Sequence, residues 1–258
     1  MDLFAFAPLA ALLNGAYVAV QGLVSLLSPI AGPLAAAAAI LALTLLVRAA
    51  LIPVGVSQVK AEGTRRRLAP KLQALRKRYP KNPQLLAQKT QELYKSENAS
   101  QFAGILPALA QLPVIAVVYA LFERTTIGGH PNALLTQKLF GVPLGDSFLH
   151  TLGGGAPWPG ALLYLALFAI MGAVAWMTRR TQLRLALPDP GATSATATMT
   201  KVLSWMPFLT IAFAAVVPLA ATLYLTVTTA WTLVERMLLR RRLWNEGPAT
   251  APARLRTS

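Results

Sequence analysis

Arg48 is the residue most able to do chemistry in this chain. It lies in residues 34–59, LAAAAAILALTLLVRAALIPVGVSQV, where no other charge occurs. About 20 apolar residues cross a bilayer, so the stretch is long enough to span one with the guanidinium inside. A cation at that depth costs roughly 2.5–3.5 kcal/mol on insertion scales. The chain must hide it in protein or give it water. Thr44, one helical turn earlier, shares its face. The chemistry on offer is electrostatic: a fixed cation that attracts acidic groups. Covalent chemistry has few candidates. The absence of cysteine excludes disulfides, thiolate metal sites and lipid attachment through cysteine. His130 and His150 both fall in an expected loop, which argues against a metal site, and no Walker-type glycine loop is present.

The composition says what must surround Arg48. Of 258 residues 55% are hydrophobic and 13% charged, and several apolar runs reach spanning length. This is the composition of an all-α, polytopic membrane protein. The net charge of +15 would fit nucleic acid in a soluble chain. In a membrane protein it marks the cytoplasmic side instead, so DNA is not expected as a partner.

Residues 1–33 carry one charge, Asp2, and no Lys or Arg, so no secretory signal is read there. Asn14, Gln21, Ser25 and Ser28 form one stripe, and Leu13, Tyr17, Val20, Val24 and Leu27 lie opposite. That pattern predicts an extracytoplasmic helix lying in the interface, with a further spanning helix as the competing reading. Residues 34–59 form the first span. Residues 60–101 hold eleven Lys/Arg, with Leu68, Leu72, Leu75 and Tyr79 at helical spacing, a break at Pro80-Lys81-Asn82-Pro83, and Leu86, Leu93 and Tyr94 beyond it. This predicts a basic helical hairpin in the cytoplasm.

The second span is 102–123, kinked by Pro107 and Pro113. It contains Gly104 and Gln111, the latter alone reading as an interhelical hydrogen-bond donor. Residues 124–159 form a Gly- and Pro-rich extracytoplasmic loop, 160–178 the third span, and 179–201 a cytoplasmic loop with a turn at Pro188-Asp189-Pro190-Gly191. Residues 202–217 and 218–239 form the last two spans, and 240–258 a basic cytoplasmic tail. The fourth span is short for a ~30 Å core. The fifth carries Tyr224, Thr228 and Trp231 on one face, and Thr222, Thr226 and Thr229 on the other. Of 24 Lys/Arg, 21 fall in the hairpin, the second loop and the C-terminal end. Five spans with the C-terminus inside fit that distribution.

Three segments then resemble the YidC-type membrane protein insertases, relatives of the mitochondrial Oxa and chloroplast Alb proteins. They are LTLLVRAALIP at 43–53, LYKSENASQFAGILPALAQLPVIAVVY at 93–119, and 205–234 with Met206-Pro207 and Leu223-Tyr224. The basic hairpin agrees in position and size. Two departures stand out. Asn98-Ala99 replaces the family's common Asn-Pro, a change expected to loosen entry into the second span. Leu225 and Thr229 lie where Trp and Asn are frequent.

The resemblance implies a five-helix core around a hydrophilic groove, open to cytoplasm and lipid, through which new membrane proteins are inserted and helped to fold. Carried over by position, Arg48 is the groove cation, lined by Gln111 and Trp231, with Thr44, Tyr224 and Thr228 on the adjoining helix faces. Nothing covalent is required, so neither enzyme activity nor a cofactor or metal is expected. The partners implied are nascent membrane proteins, the ribosome, the Sec translocon and a targeting receptor. Anionic lipids and the ribosome would meet Arg65, Arg66, Arg67, Arg76, Lys77, Arg78, Arg240, Arg241 and Arg242. With no organellar transit peptide visible, the location expected is a bacterial plasma membrane. The alternative is a small transporter or anion channel with Arg48 as binding charge, although no inverted repeat supports it. A third reading has Arg48 pairing with a carboxylate on another subunit.

Overall fold

The fold is that of a computed structural model, which describes residues 6–103, 109, 111–153, 158–185 and 194–245. The expectations for Asp2, Gly104, Pro107, the turn at 188–191 and the tail beyond residue 245 lie outside the described residues. In chain order the helices are α1 (Ala7–Ala31), α2 (Ala35–Ala50), α3 (Ile52–Arg78), α4 (Pro83–Ser96), α5 (Leu112–Glu123), α6 (Ala133–Thr136), α7 (Phe148–Gly153), α8 (Trp158–Leu185), α9 (Ser194–Leu203), α10 (Met206–Ala214) and α11 (Leu219–Asn245). Short strands β1 (Thr126–Ile127) and β2 (His130–Pro131) pair antiparallel, as do β3 (Lys138–Leu139) and β4 (Val142–Pro143). The fold class is all-α, as the composition required.

Among the described residues two stretches are long and apolar enough to cross a membrane, Ala7–Ala50 and Gly160–Leu185; Leu112–Glu123 and Lys201–Ala214 are shorter apolar helices. The helix bounds depart from the hydropathy runs where proline intervenes. The 34–59 run is divided at Leu51, whose N–H reaches back to Val47 and Arg48. Pro53 has no N–H to continue the ladder, so a new helix starts at Ile52. Likewise Pro207 sits in the first turn of α10, and the 202–217 run becomes the end of α9, a turn at Ser204-Trp205 and α10.

The chain divides into two compact units. The first is Met1–Leu51 with Leu109–Leu233. Its core joins Leu13 and Val20 of α1, Ile40 of α2, Leu121 and Phe122 of α5, Tyr164 of α8 and Tyr224 of α11 to Leu134, Leu139 and Leu144 of the 124–153 segment. That segment, expected as a loop, is an ordered layer. Helix ends leave backbone groups without partners, and low-dielectric surroundings make those costly. The layer supplies the partners. Leu219 N–H donates to Asp146 O at 2.7 Å and Ala220 N–H to Leu144 O at 2.9 Å, capping the start of α11. Buried Asn132 donates to Leu121 O and Arg124 O, both at 2.9 Å, and accepts from Leu134 N–H at 3.2 Å. It therefore closes α5 and opens α6. Tyr164 Oη donates to Asp146 O at 2.6 Å. α1 touches the same layer twice. Tyr17 Oη accepts from Ala133 N–H and donates to Pro131 O, while the turn after α1, Gly32–Leu34, packs on β3. Beyond the layer, Arg179 of α8 lies 4.2 Å from the Trp205 ring centroid and 5.8 Å from that of Trp176.

The second unit is Ile52–Ala108 with Val234–Ser258. It contains the basic hairpin of α3 and α4. Asn82 accepts from Leu85 N–H at 3.0 Å as the N-cap of α4, with Pro83 beginning the helix. Leu68 and Tyr94 are its buried apolar residues on the expected stripes. α4 ends with Asn98 in the left-handed region (φ 49°). Asn98 N–H donates to Lys95 O at 3.1 Å and Ala99 N–H to Tyr94 O at 2.9 Å, the paired bonds of a Schellman cap. Ala99 thus uses an N–H that proline would lack. The span entry expected to loosen there, residues 104–108, is outside the described residues.

The last part of α11 pairs with α3 in this unit. Gly55 lies against the Glu235 carboxylate and Gly63 against Trp244 Nε1. Arg236 donates to Gln58 at 3.5 Å, and Arg240 binds Glu62. Both residue series ascend together, so α3 and this part of α11 run parallel. The two glycines admit the side chains opposite them.

Candidate substrate groove and basic surfaces

Arg48 falls in the last turn of α2 because the apolar run before it carries the helix to that point. It is half-buried. Its Nε donates to Thr228 Oγ1 of α11 at 3.4 Å, a long hydrogen bond. Among the described residues no carboxylate lies within ion-pair distance of it. A guanidinium has five N–H donors, so most of its capacity is left for water or an incoming acidic group.

The other expected groove residues divide. Thr44 is buried, and its hydroxyl donates to Ile40 O at 2.7 Å, so its donor is spent on its own helix. Tyr224 is buried, with its ring 5.9 Å from that of Phe122. Thr228 lies one turn further along α11, and half-buried Trp231 nearly one turn beyond that. Gln111 is half-buried immediately before α5, where its carbonyl accepts from Ile115 N–H at 3.1 Å. The structure therefore brings Arg48 and Thr228 together and sets Thr44 and Tyr224 in packed surroundings.

The basic residues also separate by what they touch. Arg65 donates to Gln101 O at 3.3 Å. The Arg66 guanidinium lies 4.8 Å from the Trp244 ring centroid. Arg67 sits 3.5 Å from Glu97, which also accepts a hydrogen bond from Lys71. Those two cations hold the Glu97 carboxyl below the usual glutamate range, Lys71 contributing most through its hydrogen bond. The Lys89 ammonium, donating at 2.7 Å, does the same for Glu92. Arg78 lies 5.8 Å from the Tyr79 ring centroid, and Arg76 has a partner of its own. Arg240 binds Glu62 through Nε and Nη2. Lys77, Arg241 and Arg242 are exposed and make no such contact among the described residues.

Sequence reasoning missed Glu62 and Trp244, which fix α3 and α11 in register, and Asn132, which caps two helices. For the first pair a signal was available. Gly55, Glu62, Gly63 and Arg66 recur on one face of α3, a small-and-polar stripe on an otherwise basic helix.

Comparison with known proteins agrees with this architecture. A family model described as 60Kd inner membrane protein matches residues 27–246. The chain belongs to that family. Among its relatives is a membrane protein insertase YidC of Vibrio cholerae serotype O1, 30% identical over 210 residues, which cover 81% of this chain and 34% of the relative. The YidC of Aeromonas hydrophila is also 30% identical over 210 residues, covering 81% and 33%. That of Pasteurella multocida is 28% identical over 209 residues, covering 81% and 34%. The resemblance carried by the three sequence segments is thus borne out, and with it the all-α membrane fold. The chain spans about a third of the length of these relatives.

Proposed function

We propose that this chain is a membrane protein insertase and chaperone that admits new membrane segments through a hydrophilic groove around Arg48. The observation that carries this is the half-buried guanidinium in an apolar helix, held among the described residues by one hydroxyl and no carboxylate. Water in the groove removes much of the cost of Arg48 and hydrates a polar substrate terminus partway across. The positive charge draws acidic residues of that terminus inward. The apolar segment then leaves sideways into lipid, driven by burial of its surface. No bond is made or broken in this sequence of events, so it calls for no nucleophile, metal or nucleotide.

In this reading α2, the 102–123 segment that includes α5, α8, the α9–α10 pair and α11 provide five spans. Contacts of Tyr17 and of Gly32–Leu34 with one loop layer support α1 lying along the outer surface. The parallel pairing of α3 with the end of α11 supports a hairpin and tail on one side, the cytoplasm of a bacterial plasma membrane. Lys77, Arg241 and Arg242 are the cations most available to the ribosome and anionic lipids. The Sec translocon and a targeting receptor are further partners of this reading.

Site-specific photocrosslinking to a ribosome-stalled nascent membrane segment tests it. Crosslinkers replace Gln111 and Trp231, with exposed Leu165 of α8 as the lipid-facing control. Crosslinks from the first two and not the third are expected. Silence at all three with a folded protein overturns the groove, and ion flux in liposomes would then favour a channel.

A further inference from the structure

Opposite the α11-facing side of α3 lies a cleft of about 470 Å³. Ser57, Lys60, Thr64 and Arg67 line it along one face of α3, and Glu97 to Ser100 form its far wall. Pro53, Val56 and Ala103 supply apolar lining. Arg65 holds the far wall through Gln101 O.

The hydroxyls are unusual for this protein. Ser25, Ser28, Thr44, Thr181, Thr226, Thr229 and Thr232 each donate to the carbonyl four residues earlier. Ser57 and Thr64 do not, and among the described residues they and the Lys60 ammonium have no hydrogen-bond partner. The one carboxylate in the lining, Glu97, is already held by Lys71 and Arg67. One uncommitted cation, Lys60, and two uncommitted hydroxyls on one face, beside a Glu97 already neutralised by Lys71 and Arg67, make a site for a tetrahedral oxyanion. Lys60 is the first charge after Arg48 and ends the uncharged run 49–59. A lysine at the end of an apolar run carries its ammonium to the membrane interface, where phosphate headgroups lie.

We propose that this cleft binds the phosphate of an anionic phospholipid headgroup, with Lys60, Ser57 and Thr64 on the phosphate oxygens and Pro53, Val56 and Ala103 against the glycerol. The proposal rests on α2 spanning the membrane and is independent of the role given to Arg48.

Native mass spectrometry of the full chain in detergent tests it, with phosphatidylglycerol, phosphatidylcholine and inorganic phosphate as probes. Phosphatidylglycerol is expected to bind more tightly than phosphatidylcholine and to resist displacement by millimolar phosphate. Lys60→Gln should raise its dissociation constant about five-fold, the effect of one cation near a lipid surface, and Ser57→Ala with Thr64→Ala, which removes two hydrogen-bond donors, should raise it at least as much. Lys81→Gln, an equal charge loss at the hairpin tip, should leave it unchanged. Equal weakening by Lys81→Gln, no weakening by either cleft variant, or binding of inorganic phosphate without retained lipid overturns the proposal. An insertion assay on the same variants keeps the two readings apart: lipid retention survives a failed insertase reading, and its loss with insertion intact leaves that reading standing.

Discussion

Arg240 grips Glu62 at both carboxylate oxygens, from Nη2 at 3.0 Å to each and from Nε at 3.3 Å to Oε2. The two side chains are only 14% and 32% exposed. A fork of this kind between partly buried groups is stronger than an exposed ion pair. Arg240→Ala should destabilise the α3–α11 pairing by about 2 kcal/mol, between the surface and buried limits. A double-mutant cycle with Glu62→Gln, followed by unfolding in detergent, should show coupling of about 1 kcal/mol or more. Additive effects would mean that the pair is only decorative. Arg240 also becomes a poor ribosome contact, since it must release Glu62 to make one.

Arg48→Ala should fold at least as well as the parent, because it removes a costly charge from an apolar helix. Insertion of substrates with acidic translocated tails should fall about five-fold, the equivalent of one close charge pair in a watery site. Substrates with neutral tails should change less. Arg48→Lys should keep more activity than Ala if charge rather than fork geometry matters. Insertion yields for tail series of graded charge, measured in reconstituted vesicles, check all three expectations.

Asn132→Ala strands the carbonyls of Leu121 and Arg124 and the N–H of Leu134 together. At about 1 kcal/mol for each lost bond the cost is roughly 3 kcal/mol. Asn132→Asp should be worse, since it keeps the acceptor but turns a carboxylate oxygen toward two carbonyls. Thermal unfolding of the three proteins in the same detergent gives the order directly.

The Lys71–Glu97 contact makes the hairpin acid-sensitive. Because the folded-state pKa of Glu97 is lowered, its contribution is complete above the ordinary glutamate range, about 4.3. It is lost as pH falls through the lowered value. Glu92 beside Lys89 acts in the same sense. The protection of the α4 amides, taken relative to their intrinsic exchange rate at each pH, should therefore fall on the acid side. The fall should be smaller in Glu97→Gln, which has already lost the charge.

Much of this was legible in the sequence, because hydropathy and charge act locally. The lone charge of Arg48, the break at Pro80–Pro83 and the Leu68 stripe follow from residue type and spacing. The 124–153 layer did not, because its order comes from bonds to helix ends far along the chain, such as Leu219 to Asp146. Ala99 shows a third case. Its sequence read as a lost proline, whereas the structure uses its N–H to close α4. Ala99→Pro would delete that bond and force Asn98 out of its left-handed conformation. The roles of Glu62 and Arg240 were hidden for another reason: each looks like one more member of a charge run until the register of two helices is known.

The parallel pairing of α3 with the end of α11 sets a limit on how this protein can vary in length. One residue inserted between Arg236 and Arg240 would turn Arg240 and Trp244 by about 100° and advance them about 1.5 Å along the helix. Arg240 would leave Glu62 and Trp244 would leave Gly63, while Gln58 kept its partner. Insertions and deletions accumulated by descent should therefore avoid this segment, even though its individual charges can be exchanged.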